Sequence, residues 1–331
     1  MSNKNRRRNT LCLALSKTFA WPLIKTTSFK EYEVPKETKE LIKRQNQKKD
    51  CALFFAGPHR SMWETVGIPY TITKYDGDTP FALMGNNLIK KETGIKEAIL
   101  KYVIERSGII WVEREKNPKA AIQKIIQTTE TILSKNRNIM LFPEGTRSRD
   151  GLVKDFKPSI LQGAINASKN TDVYIIPINV DYSKLLEINE FAKNSGTYTF
   201  TVKDLNQWKT THLGEIYISF DKPILISPDT NRKIIAYETR KKCLDLVKIQ
   251  PINIVSTAIT RLNQQQEPLK KTNIEQTIEI IMKELEPHQE KYRGFKEYTE
   301  PNKIIKLTKQ EIKPELITQH QIYANYIAHY F

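Results

Sequence analysis

His59 and Glu64 stand five positions apart in Pro58-His59-Arg60-Ser61-Met62-Trp63-Glu64, just past an apolar run that ends at Gly57. If a strand stops at that glycine and a helix begins near Ser61, Glu64 falls in the first turn and reaches back to the imidazole. A carboxylate on one ring nitrogen fixes the tautomer and stabilises the imidazolium formed when the other nitrogen takes a proton. That is the base half of a serine-hydrolase triad, with a substrate hydroxyl as the nucleophile. The same residues also read as a capping box, Ser61-x-x-Glu64, in which the carboxylate only satisfies a backbone N–H at the helix start.

A second segment, Phe142-Pro143-Glu144-Gly145-Thr146-Arg147-Ser148-Arg149-Asp150-Gly151, complements the first. Gly145 permits a tight turn, and Arg147 and Arg149 carry planar five-donor forks that suit phosphate oxygens. Glu144 is a candidate either to bind substrate hydroxyls or to hold the arginines in place. The plain alternative is an exposed charged loop. Taken together, the two segments can deprotonate an alcohol and hold a phosphate.

The elements that must position them follow from hydrophobic patterning. Cys51–Ala56 is an unbroken apolar run of the length of a buried strand, and similar short runs recur at 109–112, 139–142 and 173–180. Between them, Asn117-Pro118 opens a helix of about four turns carrying Ile122, Ile125, Ile126, Ile132 and Leu133, and a small-residue helical pattern lies between the runs at 139–142 and 173–180. Residues 30–50 read as a solvated helix, 197–202 and 215–220 alternate as half-buried strands, and the chain beyond about 230 is helical, with Ile274, Ile278, Ile281 and Leu285 on one face. The fold class predicted is α/β: a mixed, largely parallel sheet with helices on both faces, plus an N-terminal interfacial helix and a helical C-terminal extension. The expected division is a basic amphipathic segment at 1–48, a catalytic domain at 49–228 and the extension at 229–331.

Composition narrows the partners. The 331 residues carry a formal charge of +16, which calls for an anionic surface: lipid, nucleic acid, an acidic carrier protein or a phosphorylated substrate. Lys4-Asn5-Arg6-Arg7-Arg8 runs into an apolar stretch with Phe19 and Trp21, which fits shallow insertion into an anionic membrane surface, whereas no run of about 18 apolar residues predicts a spanning helix. The expected location is therefore peripheral, on the cytoplasmic face of a membrane. Nucleic acid is the weaker partner because aromatic residues are not interleaved with the basic runs. Cys12, Cys51 and Cys243 lack metal-ligand spacing and read as reduced, mostly buried thiols, and no metal site is expected.

Four ordered blocks resemble the glycerophospholipid acyltransferases: His59-x-x-x-x-Glu64, Gly108-Ile109-Ile110-Trp111-Val112-Glu113-Arg114, Phe142-Pro143-Glu144-Gly145-Thr146-Arg147-Ser148, and the strand ending Ile175-Ile176-Pro177. The resemblance spans about residues 50–225. It implies acyl transfer from acyl-CoA or an acidic acyl carrier protein to a glycerophosphate hydroxyl, with the thioester as co-substrate and no other cofactor. By that resemblance His59 is the general base, and Glu64 stands where the family has Asp. Arg114 and Arg147 bind the acceptor phosphate, while Glu144, Gly145 and Thr146 shape the acceptor site. Backbone N–H groups near a helix start are expected to stabilise the oxyanion, and Trp63, Met84 and Leu88 are candidates for an acyl trench. Phe142-Pro143-Glu144-Gly145 resembles the lysophosphatidate acyltransferases, whereas His59-Arg60-Ser61, Met84-Gly85-Asn86-Asn87-Leu88 and the helix opening Pro251-Ile252-Asn253-Ile254-Val255 resemble the glycerol-3-phosphate acyltransferases, so glycerol-3-phosphate is the expected acceptor, with its 1-acyl form (lysophosphatidate) as the alternative.

Overall fold

The computed structural model describes residues 28–31, 33–85, 108–112, 118–185, 187–192, 215–292, 300–308 and 316–331. Its strands are β1 (Ser28–Glu31), β2 (Cys51–Ala56), β3 (Phe81–Gly85), β4 (Ile109–Val112), β5 (Ile139–Leu141), β6 (Asp172–Tyr182), β7 (Glu215–Phe220) and β8 (Ile224–Ile226). They join in the order β1-β7-β6-β2-β5-β3-β4, with β8 also paired to β6. Every pairing is parallel except those of β7 and β8 with β6, so the sheet is mixed and largely parallel, as the patterning predicts.

The helices are α1 (Lys36–Lys48), α2 (Glu64–Lys74), α3 (Pro118–Leu133), α4 (Pro158–Ala167), α5 (Ile188–Ala192), α6 (Arg232–Asp245), α7 (Pro251–Gln264), α8 (Lys271–Glu284), α9 (Pro301–Thr308) and α10 (Ile317–Asn325). Because side chains alternate along a strand, β2 feeds two cores. Cys51, Leu53 and Phe55 enter a core shared with α1, α2, α5 and α10, while Ala52, Phe54 and Ala56 enter one shared with α3, α4 and α6. Burial on both faces explains why β2 reads as a continuous apolar run. No helix among the described residues is long and apolar enough to cross a membrane.

Several boundaries differ from the sequence reading. Residues 28–31 pair with β7 before α1 begins at Lys36, a register that local helical spacing conceals. β6 runs two residues past Val180 and so delivers Asp181 and Tyr182 to the interior. The expected N-terminal interfacial helix, Cys12, Asn117 and the strand at 197–202 lie outside the described residues, and α3 opens at Pro118 itself. Cys51 and Cys243 are buried free thiols.

The C-terminal helices do two jobs. α7, α8 and α9 bury Ile254, Ile259, Ile274, Ile278, Ile281 and Ile304 in a third core, with the start of α7 held by Gln250 N donating to Asn253 Oδ1 (2.9 Å). α6 packs in the second core through Ile235, Ala236 and Cys243, and α10 sends Ile322 and Tyr323 into the first, joined there by Tyr326 just past its end. Between α10 and α7, the His320 ring meets Ser256 Oγ through Nδ1 at 3.0 Å, and burial pushes its pKa from 6.5 down to about 4. Between those values the unfolded chain binds the proton and the folded one does not, so this group's stability is full above pH 6.5 and is lost as pH falls towards 4. Denaturant melts across that window should show a loss on the order of 2 kcal/mol that His320→Gln removes. Equal pH slopes for the two proteins would contradict this.

Candidate active site

The chain leaves β2 through Gly57-Pro58 and turns into α2, and Glu64 organises that turn. One carboxylate oxygen, Oε1, accepts from the backbone N–H of Arg60 (2.9 Å), the N–H of Ser61 (2.9 Å) and the Tyr182 hydroxyl (3.0 Å). The other, Oε2, lies 2.7 Å from His59 Nδ1. The carboxylate therefore performs both tasks that the spacing leaves open, closing the turn with one oxygen and holding the imidazole with the other. The capping box itself is incomplete, since Ser61 Oγ accepts from Trp63 N and donates to Glu187 Oε2. An ionised carboxylate only accepts, so Nδ1 carries the ring proton and Nε2 carries the lone pair. The imidazole stacks on Phe142, with centroids 4.2 Å apart and planes 10° apart.

The second segment is tied to the first through the backbone of His59. Its N–H donates to Glu144 Oε1 (2.8 Å) and its carbonyl accepts from Ser148 N (2.6 Å). Glu144 Oε2 accepts from Ser148 Oγ (2.5 Å) and Lys154 N (3.0 Å), and burial raises this carboxyl's pKa. Glu144 thus knits the two segments together, and both of its oxygens are engaged by the protein. The carboxylate near the arginine is instead Glu187, 3.8 Å from Arg147 Nη1, which also accepts from Met62 N at 2.9 Å. Burial pushes the Glu187 carboxyl up, and the nearby Arg147 guanidinium pulls it down. Gly145 has φ of 75°, and an added Cβ there would meet Lys157 Nζ at 3.0 Å, so the residue needs both the backbone freedom and the space.

His59, Gly145, Thr146, Arg147 and Arg149 line one cavity of about 350 Å³. Its polar end gathers three cations, Arg147, Arg149 and Lys157, and no carboxylate lines it among the described residues. The rest of the lining is largely apolar, with Leu83 and Met84 from β3, Leu141 from β5, Ile122 and Ile125 from α3 and Ile160 from α4. A proton acceptor, an anion cradle and an apolar wall therefore share one space.

Some expectations are relocated. Trp63 is 2% exposed and packs in the first core, away from any acyl trench, whereas Met84 does line the cavity. Arg114 and Leu88 lie outside the described residues. The N–H groups of residues 60 to 63 donate to Glu64, Glu187 and Ser61, so these four are engaged by the protein itself rather than turned to an oxyanion. Sequence reasoning missed Tyr182, Glu187 and Lys157. Tyr182 sits beyond the apparent end of a strand, and Glu187 follows Lys184-Leu185-Leu186 like a solvated charge. Only Lys157, preceding a helix-opening proline in the basic stretch after Arg149, carried a readable signal.

Comparison with known proteins points to acyltransferases. Residues 39–181 match the family model described as Acyltransferase. A 1-acyl-sn-glycerol-3-phosphate acyltransferase of Limnanthes douglasii is 39% identical over 62 residues, 19% of this chain and 21% of that protein. One of Cocos nucifera is 37% identical over 62 residues, 19% of each chain. The crystal structure of the 1-acyl-sn-glycerophosphate (LPA) acyltransferase of Thermotoga maritima aligns with a TM-score of 0.45 at 17% identity, covering 74% of this chain and 83% of that one. Residues 39–181, somewhat under half of the chain, are thus similar to the glycerophospholipid acyltransferases. The matched stretch spans about a fifth of the length of the curated relatives.

Proposed function

We propose that this protein transfers an acyl group from a thioester, acyl-CoA or acyl carrier protein, to the free hydroxyl of 1-acyl-sn-glycerol-3-phosphate, forming phosphatidate. The observation that carries the reaction type is the His59–Glu64 contact at 2.7 Å beside a cavity with three cations and an apolar wall. His59 Nε2 removes the hydroxyl proton, the oxygen bonds to the thioester carbon, the carbon–sulfur bond breaks, and the proton leaves with the thiolate. Arg147, Arg149 and Lys157 supply the cradle for the acceptor phosphate, Arg114 is a further phosphate ligand by family resemblance, and Gly145 and Thr146 shape the acceptor end. The thioester is already activated, so positioning and proton transfer suffice, with no metal or redox cofactor.

The choice of acceptor departs from the glycerol-3-phosphate expectation. The relatives are named for the 1-acyl form, and one of the three motifs that favoured glycerol-3-phosphate has a structural explanation: Pro251 and Asn253 open and cap a buried helix. The apolar wall beside the cradle also suits an acceptor that already carries a chain. Work at an anionic membrane surface fits both substrates and the charge of +16. Thioester consumption by the full chain should be fastest with 1-acyl-sn-glycerol-3-phosphate, slower with glycerol-3-phosphate and negligible without acceptor. Preference for glycerol-3-phosphate would reverse the acceptor assignment, and acceptor-independent consumption would defeat the function.

Arg147→Ala should raise the acceptor's KM by about a hundredfold and leave the donor's within about threefold, since only the acceptor phosphate pairs with this fork. Arg147→Lys should recover little of it, because an ammonium makes no bidentate contact. Equal changes in both KM values would assign Arg147 to folding through Glu187.

A further inference from the structure

Arg60, the residue beside His59, is 1% exposed, and its charge is met by Asp181 Oδ1 at 3.1 Å and Asn179 Oδ1 at 3.2 Å. Asp181 accepts in turn from Asn179 and from Lys248 N, which fixes it on β6. The guanidinium carbon lies 4.5 Å from the centroid of the Tyr326 ring, five residues from the end of the chain. A cation over an aromatic face is attracted most where water is excluded, as here.

The same C-terminal stretch touches the other parts that frame the site. Tyr323 Oη accepts from Leu185 N (2.8 Å), two residues before the Glu187 that holds Ser61 and Met62. Asn325 Nδ2 donates to Asp150 O (2.7 Å), at the end of the arginine-bearing loop. Gly151, with φ of 83°, lies so close that an added Cβ would sit 2.1 Å from Ile322 O. Within five residues, 322 to 326, the chain grips the His59–Glu64 turn, the Glu187 segment and the loop carrying Arg147 and Arg149.

From this geometry we propose that the C-terminal helix α10 and the residues after it are a clamp on the catalytic apparatus, with Tyr326 and Arg60 as positioning residues for the His59–Glu64 pair. The proposal rests on the acyl-transfer reading for its kinetic consequence, while its structural consequence stands alone. Arg60 contributes its backbone N–H to Glu64 Oε1. Holding its side chain against Asp181 and Tyr326 therefore fixes the backbone from which both His59 and Glu64 are presented. Nothing in the four sequence blocks points to this region, which begins more than a hundred residues after the last of them.

The Tyr326 ring is buried, and its hydroxyl has no hydrogen-bond partner among the described residues. The ring face is therefore the active element, and this separates two substitutions. Tyr326→Phe should keep kcat within about twofold of wild type, because a buried hydroxyl without a partner contributes nothing to lose. Tyr326→Leu keeps apolar bulk but gives Arg60 no aromatic face. It should lower kcat at least about tenfold with both KM values within about threefold, since a small misplacement of reacting groups costs rate rather than binding.

The deciding experiment pairs those kinetics with 15N-edited NMR of the imidazoles in the full-length protein, in which the His59 Nδ1–H signal is assigned by its absence from His59→Ala. The expected result is a protected Nδ1–H signal in wild type and Tyr326→Phe, and its loss or exchange broadening in Tyr326→Leu while the rest of the spectrum stays folded. A Tyr326→Leu protein with the His59 signal intact and kcat unchanged per folded molecule would overturn the clamp. If Tyr326→Leu fails to fold, Arg60→Lys serves the same purpose, retaining charge at the site and losing the planar stacking, with the same signal and kcat expected to fall; both unchanged there would equally overturn the clamp. An inactive wild type with the Nδ1–H result as expected would defeat the acyl-transfer reading and leave the clamp standing.

Discussion

His59→Ala is expected to reduce kcat by about 10³-fold, within the range that removal of a positioned general base produces, while the protein stays folded. Among the described residues the site offers no second group to take the hydroxyl proton: Glu64 and Glu144 have their oxygens engaged by the turn and by the loop, and the lining cations have no lone pair to give. The fold should survive because the contacts joining the two segments here run through the His59 backbone, to Glu144 and from Ser148, while Glu64, which loses its contact with the imidazole, keeps the N–H groups of Arg60 and Ser61 and the Tyr182 hydroxyl. Circular dichroism melts and steady-state kinetics on the same preparation separate the two effects. A melting temperature near wild type with activity reduced less than about tenfold would remove the base from the mechanism.

Glu64→Gln is expected to match that loss and to do so with little change in volume. One carboxamide atom must accept from the N–H groups of Arg60 and Ser61, which turns the amide NH2 towards His59 Nδ1. Nδ1 must then accept, the ring proton moves to Nε2, and the base loses the lone pair it needs. An imidazole held in the wrong tautomer costs about 10⁴-fold in a serine-protease triad, which sets the scale expected here. Glu64→Ala should be worse for stability, because it leaves two backbone donors and the Tyr182 hydroxyl without their acceptor, each costing about 1–3 kcal/mol. If kcat per folded molecule is unchanged in Glu64→Gln, the carboxylate serves only the turn.

The length of Glu64 illustrates what the sequence could and could not tell. His59-x-x-x-x-Glu64 is legible as a base and its partner, and equally as a helix start, because both uses need the same spacing. Only the packing shows that one side chain spans both, reaching two N–H groups, a hydroxyl and a ring nitrogen. β2, β5 and most of β6 were readable because strands buried on both faces are continuous apolar runs, and β4, a half-buried edge strand, carries a short run of the same kind. β1 was not, since Ser28–Glu31 is held by its neighbour β7 rather than by its own pattern.

The same logic separates the loop residues. Gly145 and Arg147 declare themselves by type, since a positive φ favours glycine and a phosphate favours a guanidinium. Glu144 does not, because a carboxylate beside two arginines reads as their counter-ion, whereas its partners prove to be His59 N, Ser148 and Lys154. Tyr182, Glu187 and Tyr326 are invisible locally. Each acts through contacts more than a hundred residues away in the chain, and no window of sequence contains both ends.

Ester formation is the most direct measure of the proposed chemistry. Purified full-length wild type and His59→Ala would be given an acyl thioester and 1-acyl-sn-glycerol-3-phosphate, with product identified by mass spectrometry and released thiol counted in parallel. The expected result is phosphatidate from wild type in a one-to-one ratio with thiol, and at least about 10²-fold less from the variant. Thiol release without ester, or equal ester from both proteins, would contradict the assignment of His59 as the base that moves an acyl group onto a phosphate-bearing acceptor.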